Sequence, residues 1–238
     1  MKYSFWIGVL FILFSCNNMN KKIEYIGNNG DYKEIEYHKG GKTTVNYFFE
    51  DGRKKASGYI KDSIEFLEVY EGQKMSEEGK FKDGKRLGWH NFYDNNGRKL
   101  GEVFYQNDKV YQQISFFKDG SIDDENSLYV DFTLPSDTLL INEDTPVRLR
   151  YYNEKSQLEF IRVYLSNEIK TDFSNIDKVV LDTFGCPPKE KDVYLLVNFP
   201  NKGKQYIRGY LFDGVIDDET PDSYNGINVL FEKEVFVK

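Results

Sequence analysis

Few side chains in this 238-residue chain are of the types that do proton or covalent chemistry near neutral pH: His38, His90, Cys16 and Cys186. A Ser-His-Asp or Cys-His arrangement would have to be built on one of the two histidines. Both fall in strand-like segments, where packed or surface positions are expected of them. A structural zinc takes four His or Cys ligands, so neither a metal nor a cofactor is expected. Cys186 lies in Phe184-Gly185-Cys186-Pro187-Pro188-Lys189, with no second cysteine two residues on to resolve a disulfide exchange. It reads as a loop cysteine without redox function. Carboxylates are plentiful, and two clusters share a pattern: Asp119-Gly120-Ser121-Ile122-Asp123-Asp124-Glu125 and Asp213-Gly214-Val215-Ile216-Asp217-Asp218-Glu219. Calcium takes six to eight such oxygens, but the alternating spacing of an EF-hand is missing from both. Solvated acidic turns are expected. A carboxylate pair for glycoside hydrolysis stays open, because spacing in sequence does not fix spacing in space. No catalytic residue is selected.

Cys16 has a different chemistry. Lys2 followed by the apolar run from Phe5 to Phe14 has the form of an export signal, too short to span a bilayer as a helix. The residues that close it, Leu13-Phe14-Ser15-Cys16, resemble a bacterial lipobox, in which a small residue precedes a cysteine that is acylated and becomes the new N-terminus. The resemblance implies lipidation of Cys16 and anchoring to a membrane, since several acyl chains on one residue hold where a single chain is marginal. Ordinary signal cleavage beside an incidental cysteine is the alternative.

Composition narrows the partners. The chain has 32 Lys+Arg against 39 Asp+Glu, a net charge of −7, and loss of the first fifteen residues removes Lys2 alone among the charged residues. An acidic chain without a run of basic residues has no means of collecting phosphates, so nucleic acid is not expected. With Cys16 lipidated, Cys186 has no intramolecular disulfide partner. Stability must then come from packing, for which an aromatic content of 16% supplies large apolar surfaces.

The strongest pattern concerns architecture. Glycine turns recur at Gly30, Gly52, Gly72, Gly97 and Gly120, at gaps of 22, 20, 25 and 23 residues, mostly with aromatics just upstream: Tyr25, Phe48-Phe49, Tyr70, Phe92-Tyr93 and Phe116-Phe117. A period of that length means stacked units, none of which buries its apolar face alone. Opposite turns fall between them at Lys39-Gly40-Gly41, Lys61-Asp62-Ser63, Lys82-Asp83-Gly84 and Asn107-Asp108. Asn-Gly and Asp-Gly pairs suit tight hairpins because both central residues need positive φ. A meander of antiparallel strands follows, and no turn precedes a helical pattern as a phosphate loop requires. The aromatics at equivalent positions, including Phe48, Phe49, Phe92, Tyr93, Phe104, Tyr105, Phe116 and Phe117, are expected mostly in the stacked core. Adjacent residues face opposite ways, however, so an exposed aromatic row would be a binding surface.

The stretch from Gly79 through Lys82-Asp83-Gly84-Lys85-Arg86-Leu87-Gly88-Trp89 to Asn95-Asn96-Gly97-Arg98-Lys99-Leu100-Gly101-Glu102 resembles the MORN-variant repeat, with its Tyr-rich strand, Asn-Gly turn and Gly-Lys-x-x-Gly-x-Trp run. The match is good over residues 79 to 120 and degenerate before Gly72, covering roughly 25 to 122. Such repeats occur in exported bacterial lipoproteins and in antitoxins of the YwqK type. The resemblance implies a β-hairpin array and no activity.

From Leu128 the period stops. Strand-like runs follow at Leu128–Leu134, Val147–Tyr152, Leu158–Leu165, Lys178–Leu181, Val193–Phe199, Tyr206–Phe212 and Ile227–Val237, with prolines between or beside them. The expected organisation is a signal peptide at 1–15, a tether at 16–22, β-hairpin repeats at 23–122, a linker at 123–127 and a β-sandwich-like domain at 128–238, all-β throughout. The expected role is a non-enzymatic envelope scaffold, anchored through Cys16, whose repeat sheet binds a protein or glycan. An immunity or antitoxin-like inhibitor, or a carboxylate-dependent envelope enzyme, is the alternative.

Overall fold

The computed structural model describes residues 20–136, 138–157, 159–216 and 224–238. Cys16, the expected signal segment, tether residues 16–19 and residues 217–219 of the second acidic cluster lie outside the described residues. The strands are β1 (Lys21–Ile26), β2 (Asp31–Tyr37), β3 (Thr43–Phe48), β4 (Lys54–Lys61), β5 (Ile64–Glu71), β6 (Lys74–Lys82), β7 (Lys85–Tyr93), β8 (Lys99–Gln106), β9 (Lys109–Ser115), β10 (Leu128–Thr133), β11 (Thr138–Leu139), β12 (Thr145–Asn153), β13 (Phe160–Leu165), β14 (Asp182–Cys186), β15 (Asp192–Val197), β16 (Gly203–Ile216) and β17 (Tyr224–Val237). Among the described residues the only helix is a single 3-10 turn, Asp124–Asn126. The all-β reading therefore holds.

The chain divides into two compact units, Met1–Gly84 with Asn95–Gly97, and Lys85–Asp94 with Arg98–Lys238. The first unit contains β1 to β6, each strand antiparallel to the next. All five periodic glycines adopt positive φ, from +67° to +87°. The opposite turns Asp62-Ser63 and Asn107-Asp108 have both central residues at positive φ, as a two-residue hairpin with the right-handed strand twist demands. The aromatic residues upstream of the glycines have a structural counterpart as well. The register slips between Tyr47 and Phe48, Val69 and Tyr70, Phe92 and Tyr93, and Phe104 and Tyr105. Each slip is a bulge or irregularity, of the kind that increases local twist.

The core of the first unit is narrow and aliphatic. Ile35, Val45, Ala56 and Leu67 are buried, with Tyr47, Ile60, Val69 and Phe81 packed against them. Register explains the grouping: Ile35 faces Val45, Tyr47 faces Ala56, and Ala56 faces Val69, so all lie on one side of the sheet. Removing a side chain such as Val45 from water contributes roughly 1.5–3 kcal/mol. The expectation that the paired aromatics form the stacked core is corrected here. Of those eight only Phe104 is buried, whereas Phe117 is 53% exposed. Small aliphatic side chains fill the close-set side of the sheet, and ring stacks occupy the other.

The second unit is a two-sheet structure. Its larger sheet has the order β7-β8-β9-β10-β12-β15, and its second sheet the order β11-β17-β16-β13-β14. Strict alternation aims one face of each strand inward: Val147, Leu149 and Tyr151 on β12; Val193, Leu195 and Val197 on β15; Ile161, Val163 and Leu165 on β13; Val229, Phe231, Val235 and Val237 on β17. This is the sandwich-like core expected beyond Leu128. A satellite cluster joins Phe104 and Leu230 to Ile169 and Phe173, with Trp89 packed against it.

Two local expectations are overturned. Lys178–Leu181 is not a strand but turn and coil, and β14 begins only at Asp182. Val180 is 86% exposed while Val179 and Leu181 pack on the satellite cluster, so a short apolar run mimicked a strand without pairing as one. Cys186 is consequently not in a loop. It ends β14, opposite Ile161. The two-residue β11, parallel to β17, has no signature in the sequence.

Candidate functional site

The side of the first unit opposite its aliphatic core presents an ordered set of half-exposed side chains. Cross-strand pairing lines up Glu34, Asn46, Ser57, Glu68 and Glu78 in one polar row running across β2 to β6. On one flank Tyr25, Tyr32 and Phe48 are successive partners, with ring centroids 6.3 Å apart for the first pair and 5.0 Å, nearly parallel, for the second. On the other flank Thr44 faces Tyr59, which stacks on Phe66 at 4.7 Å and an interplanar angle of 6°. The Lys80 ammonium lies 5.9 Å from the Phe66 ring centre. Tyr25 is 79% exposed and Tyr59 40%. Stacked rings on neighbouring strands are a favourable pairing, and here they stand beside a line of hydrogen-bonding groups.

The polar groups on this face are tuned by their neighbours. The Tyr70 hydroxyl donates to Glu68 Oε2 at 2.5 Å and lies 3.1 Å from Ser57 Oγ. Burial first, and then Glu68, pushes the Tyr70 phenol above its ordinary value. Lys54 sits 5.7 Å over the Tyr70 ring, and a cleft of about 390 Å³ opens among Arg53, Lys54, Tyr70 and Gln73. Lys21 pairs with Glu34 at 2.8 Å across the strands.

The residues singled out for chemistry are dispersed. His38 is exposed, its Nε2 2.9 Å from Thr44 Oγ1 and 4.0 Å from Glu36. His90 is fully buried on β7 with its ring 5.2 Å from that of Tyr105, edge to face. The Cys186 thiol donates to the Glu190 carbonyl at 3.3 Å, and burial followed by the charges of Glu190 and Asp192 raises its pKa, opposite to the shift of an activated thiol. Among the described residues no three His, Cys, Asp or Glu side chains are grouped to hold a metal.

The first acidic cluster is turn wiring. Asp119 accepts from the Ser121 amide at 3.0 Å and hydroxyl at 2.6 Å, which lowers its pKa. Asp123 caps the 3-10 turn by accepting from Asn126. The second cluster departs from the expected solvated turn at its first member. Asp213 is buried in β16, where it accepts from Tyr151 at 2.8 Å, Ser156 at 2.7 Å and Asn153 at 3.4 Å. Inward parity on β16 places it there, and those donors replace the lost water.

The polar row across β2 to β6 escaped the sequence reading because it depends on register. Its members are 10 to 12 residues apart, and its three glutamates are interrupted by an asparagine and a serine. The signal that could have found it is the pairing of turn positions, which fixes which residues of adjacent strands stand opposite.

No family model matches the chain, and no curated protein matches it. One solved structure it is similar to is described as the crystal structure of TarM, at 16% identity and a TM-score of 0.28, the match covering 44% of this chain and 18% of that one. A likeness of that size carries no conclusion about fold or activity.

Proposed function

We propose that the chain is a non-enzymatic binding scaffold of a bacterial cell envelope, anchored to a membrane through a lipidated Cys16, and that its first unit binds glycan. Its hairpins are, in this reading, MORN-variant repeats. The single observation behind the glycan assignment is the polar row Glu34, Asn46, Ser57 and Glu68 flanked by the stacks Tyr32–Phe48 and Tyr59–Phe66. Sugars present apolar C–H faces and rings of hydroxyls. Exposed aromatic faces receive the first, and carboxylate, amide and hydroxyl side chains pair with the second. Hydrogen bonds to charged acceptors contribute about 1.5–3 kcal/mol each, enough for several weak contacts to sum to a specific site.

The test is recovery and titration. Lipidated full-length protein is crosslinked in its own envelope, and the purified chain is titrated with glycan fragments released from that envelope. Binding that disappears in a Tyr32→Ala/Tyr59→Ala variant that is still folded supports the reading. Glycan binding that survives the double substitution moves the site elsewhere, and failure of a Cys16→Ser variant to leave the membrane removes the anchor.

A further inference from the structure

The second unit has an open seam between β10 and β17. β10 pairs with β12 along its whole length, but on its other edge its one strand partner among the described residues is Gln113 of β9, opposite Leu128. β17 pairs with β16 throughout, and on its other edge, among the described residues, Phe236 and Val237 alone have strand partners, in β11. Among the described residues no backbone ladder joins β10 to β17.

One side chain hydrogen-bonds to both edges of the seam, and beside it the rings of Phe132 and Phe231 meet edge to face with centroids 5.4 Å apart. The buried Gln112 donates through Nε2 to the Leu230 carbonyl at 2.7 Å, and its Oε1 accepts from the Val130 amide at 2.9 Å. A single amide thus links the two edges, as a peptide unit of an intervening strand would. Alternate residues of a strand turn their N–H and C=O groups to the same edge. The parity set by Val130 therefore sends the backbone groups of Phe132 and Leu134 into the seam, and that set by Leu230 sends those of Glu232 and Glu234.

Beyond Gln112 the seam widens to a cleft of about 490 Å³ between Phe132 and Leu134 on one side and Lys233, Val235 and Phe236 on the other. Lys233 occupies an inward position of β17, between the buried Phe231 and Val235. Its neighbours Glu232 and Glu234 are matched by Arg208 at 2.6 Å and Lys204 at 2.7 Å. Among the described residues Lys233 has no acidic partner.

We propose that this seam receives an extended peptide segment of a partner protein as an added strand, hydrogen-bonded to both β10 and β17. Main-chain bonding to two edges supplies affinity, and the alternate side chains that face inward supply selectivity. Those side chains are apolar against Phe132 and Val235, with one carboxylate opposite Lys233. The inward lysine also keeps the open edge from pairing with unselected strands, a recurrent use of buried edge charge. This site is separate from the aromatic face of the first unit and does not depend on it.

The test uses the full chain and a panel of synthetic ten-residue peptides of alternating valine and threonine, with glutamate or lysine at one central valine position, and an N-methylated version of each. Amide hydrogen exchange and titration are the readouts. The expected result is at least tenfold slower exchange at Phe132, Leu134, Glu232 and Glu234 with the glutamate peptide, and at least tenfold weaker binding of the lysine peptide. Lys233→Glu reverses that order, and Lys233→Met, which keeps the fold, removes the difference. The proposal is overturned if no unmethylated peptide binds, if N-methylation leaves affinity unchanged, or if the four amides are already slow in the free monomer. Protection that arises from self-association without peptide also overturns it, and assigns the seam to a second copy of the chain.

Discussion

The Tyr151 hydroxyl donates to Asp213 Oδ2 at 2.8 Å and thereby joins β12 of one sheet to β16 of the other inside the core of the second unit. Asn153 donates to the same hydroxyl at 2.8 Å, and Ser156 holds the other carboxylate oxygen at 2.7 Å. A buried carboxylate without these donors would have to be neutralised or expelled. Tyr151→Phe keeps the ring and deletes the donor, so it is expected to cost about 1–3 kcal/mol. In urea denaturation at pH 7 the midpoint should fall with an unchanged slope. An unchanged midpoint would mean that Ser156 and Asn153 suffice.

Alkaline pH should destabilise the same unit. Burial, and then the neighbouring Tyr152, pushes the Tyr129 phenol up to about 12, and burial raises that of Tyr151 further. Unfolded tyrosine ionises near 10. Between 10 and 12 the unfolded chain therefore holds fewer protons than the folded one, and stability falls as pH rises. It is complete below 10 and lost as pH climbs through the folded values. Denaturation midpoints measured from pH 8 to 12 should decline from about 10, and Tyr129→Phe should flatten that decline.

Two glycines of the first unit separate steric from conformational need. A Cβ on Gly58 would lie 1.8 Å from the Phe66 carbonyl oxygen and 2.9 Å from its carbon, both fixed backbone. Gly58→Ala must part β4 from β5 and should cost about 3 kcal/mol or more. Gly52 has φ +81° with nothing within 4 Å of the added carbon, so Gly52→Ala carries backbone strain alone, about 1–2 kcal/mol. Thermal denaturation of the two variants should rank them in that order, and equal losses would contradict the close approach at Gly58.

On the aromatic face, Tyr59→Ala removes a ring that is 40% exposed and stacked on Phe66. Its effect on stability should stay near the value of one cross-strand aromatic pair, about 0.5–1.5 kcal/mol. Its effect on retention by envelope glycan should be larger, a tenfold loss or more. Ala56→Ser on the opposite face should show the reverse, loss of stability without loss of retention.

How far the sequence could be read follows from what each element depends on. Turns depend on one or two residues, so Gly30, Gly52, Gly72, Gly97, Gly120 and the opposite Asp62-Ser63 and Asn107-Asp108 were legible, and the hairpin array with them. The alternation along β12 and β15 likewise exposed the second core. Val179-Val180-Leu181 misled because an apolar triplet that packs through two members looks like a short strand. Phe48 and Phe92 misled because repeat position says which residues are equivalent, not which side of the sheet is covered. Asp213 and Gln112 were illegible for a related reason. Both are polar residues with a partner far along the chain, Ser156 at 57 residues from Asp213 and Leu230 at 118 from Gln112, and only the finished pairing brings donor to acceptor.

Gln112 is the sharpest test of that pairing, because its two ends can be addressed separately. Its amide is buried, accepts from Val130 N–H and donates to Leu230 C=O. Gln112→Leu orphans both backbone groups and should cost about 2–4 kcal/mol. Gln112→Glu is more informative. When ionised it still accepts from Val130, but it cannot donate to Leu230, and it brings a charge into a dry site. When protonated it does both. Its folded pKa must then rise above the unfolded value near 4.3. The resulting stability is present below about 4 and lost as pH rises through the folded pKa. Relative to the wild-type chain, the Gln112→Glu variant should therefore be markedly less stable at pH 7 and recover most of the difference by pH 4, read as midpoint shifts in parallel urea titrations. A constant deficit across that range would show that Gln112 fills space rather than bridging the two edges.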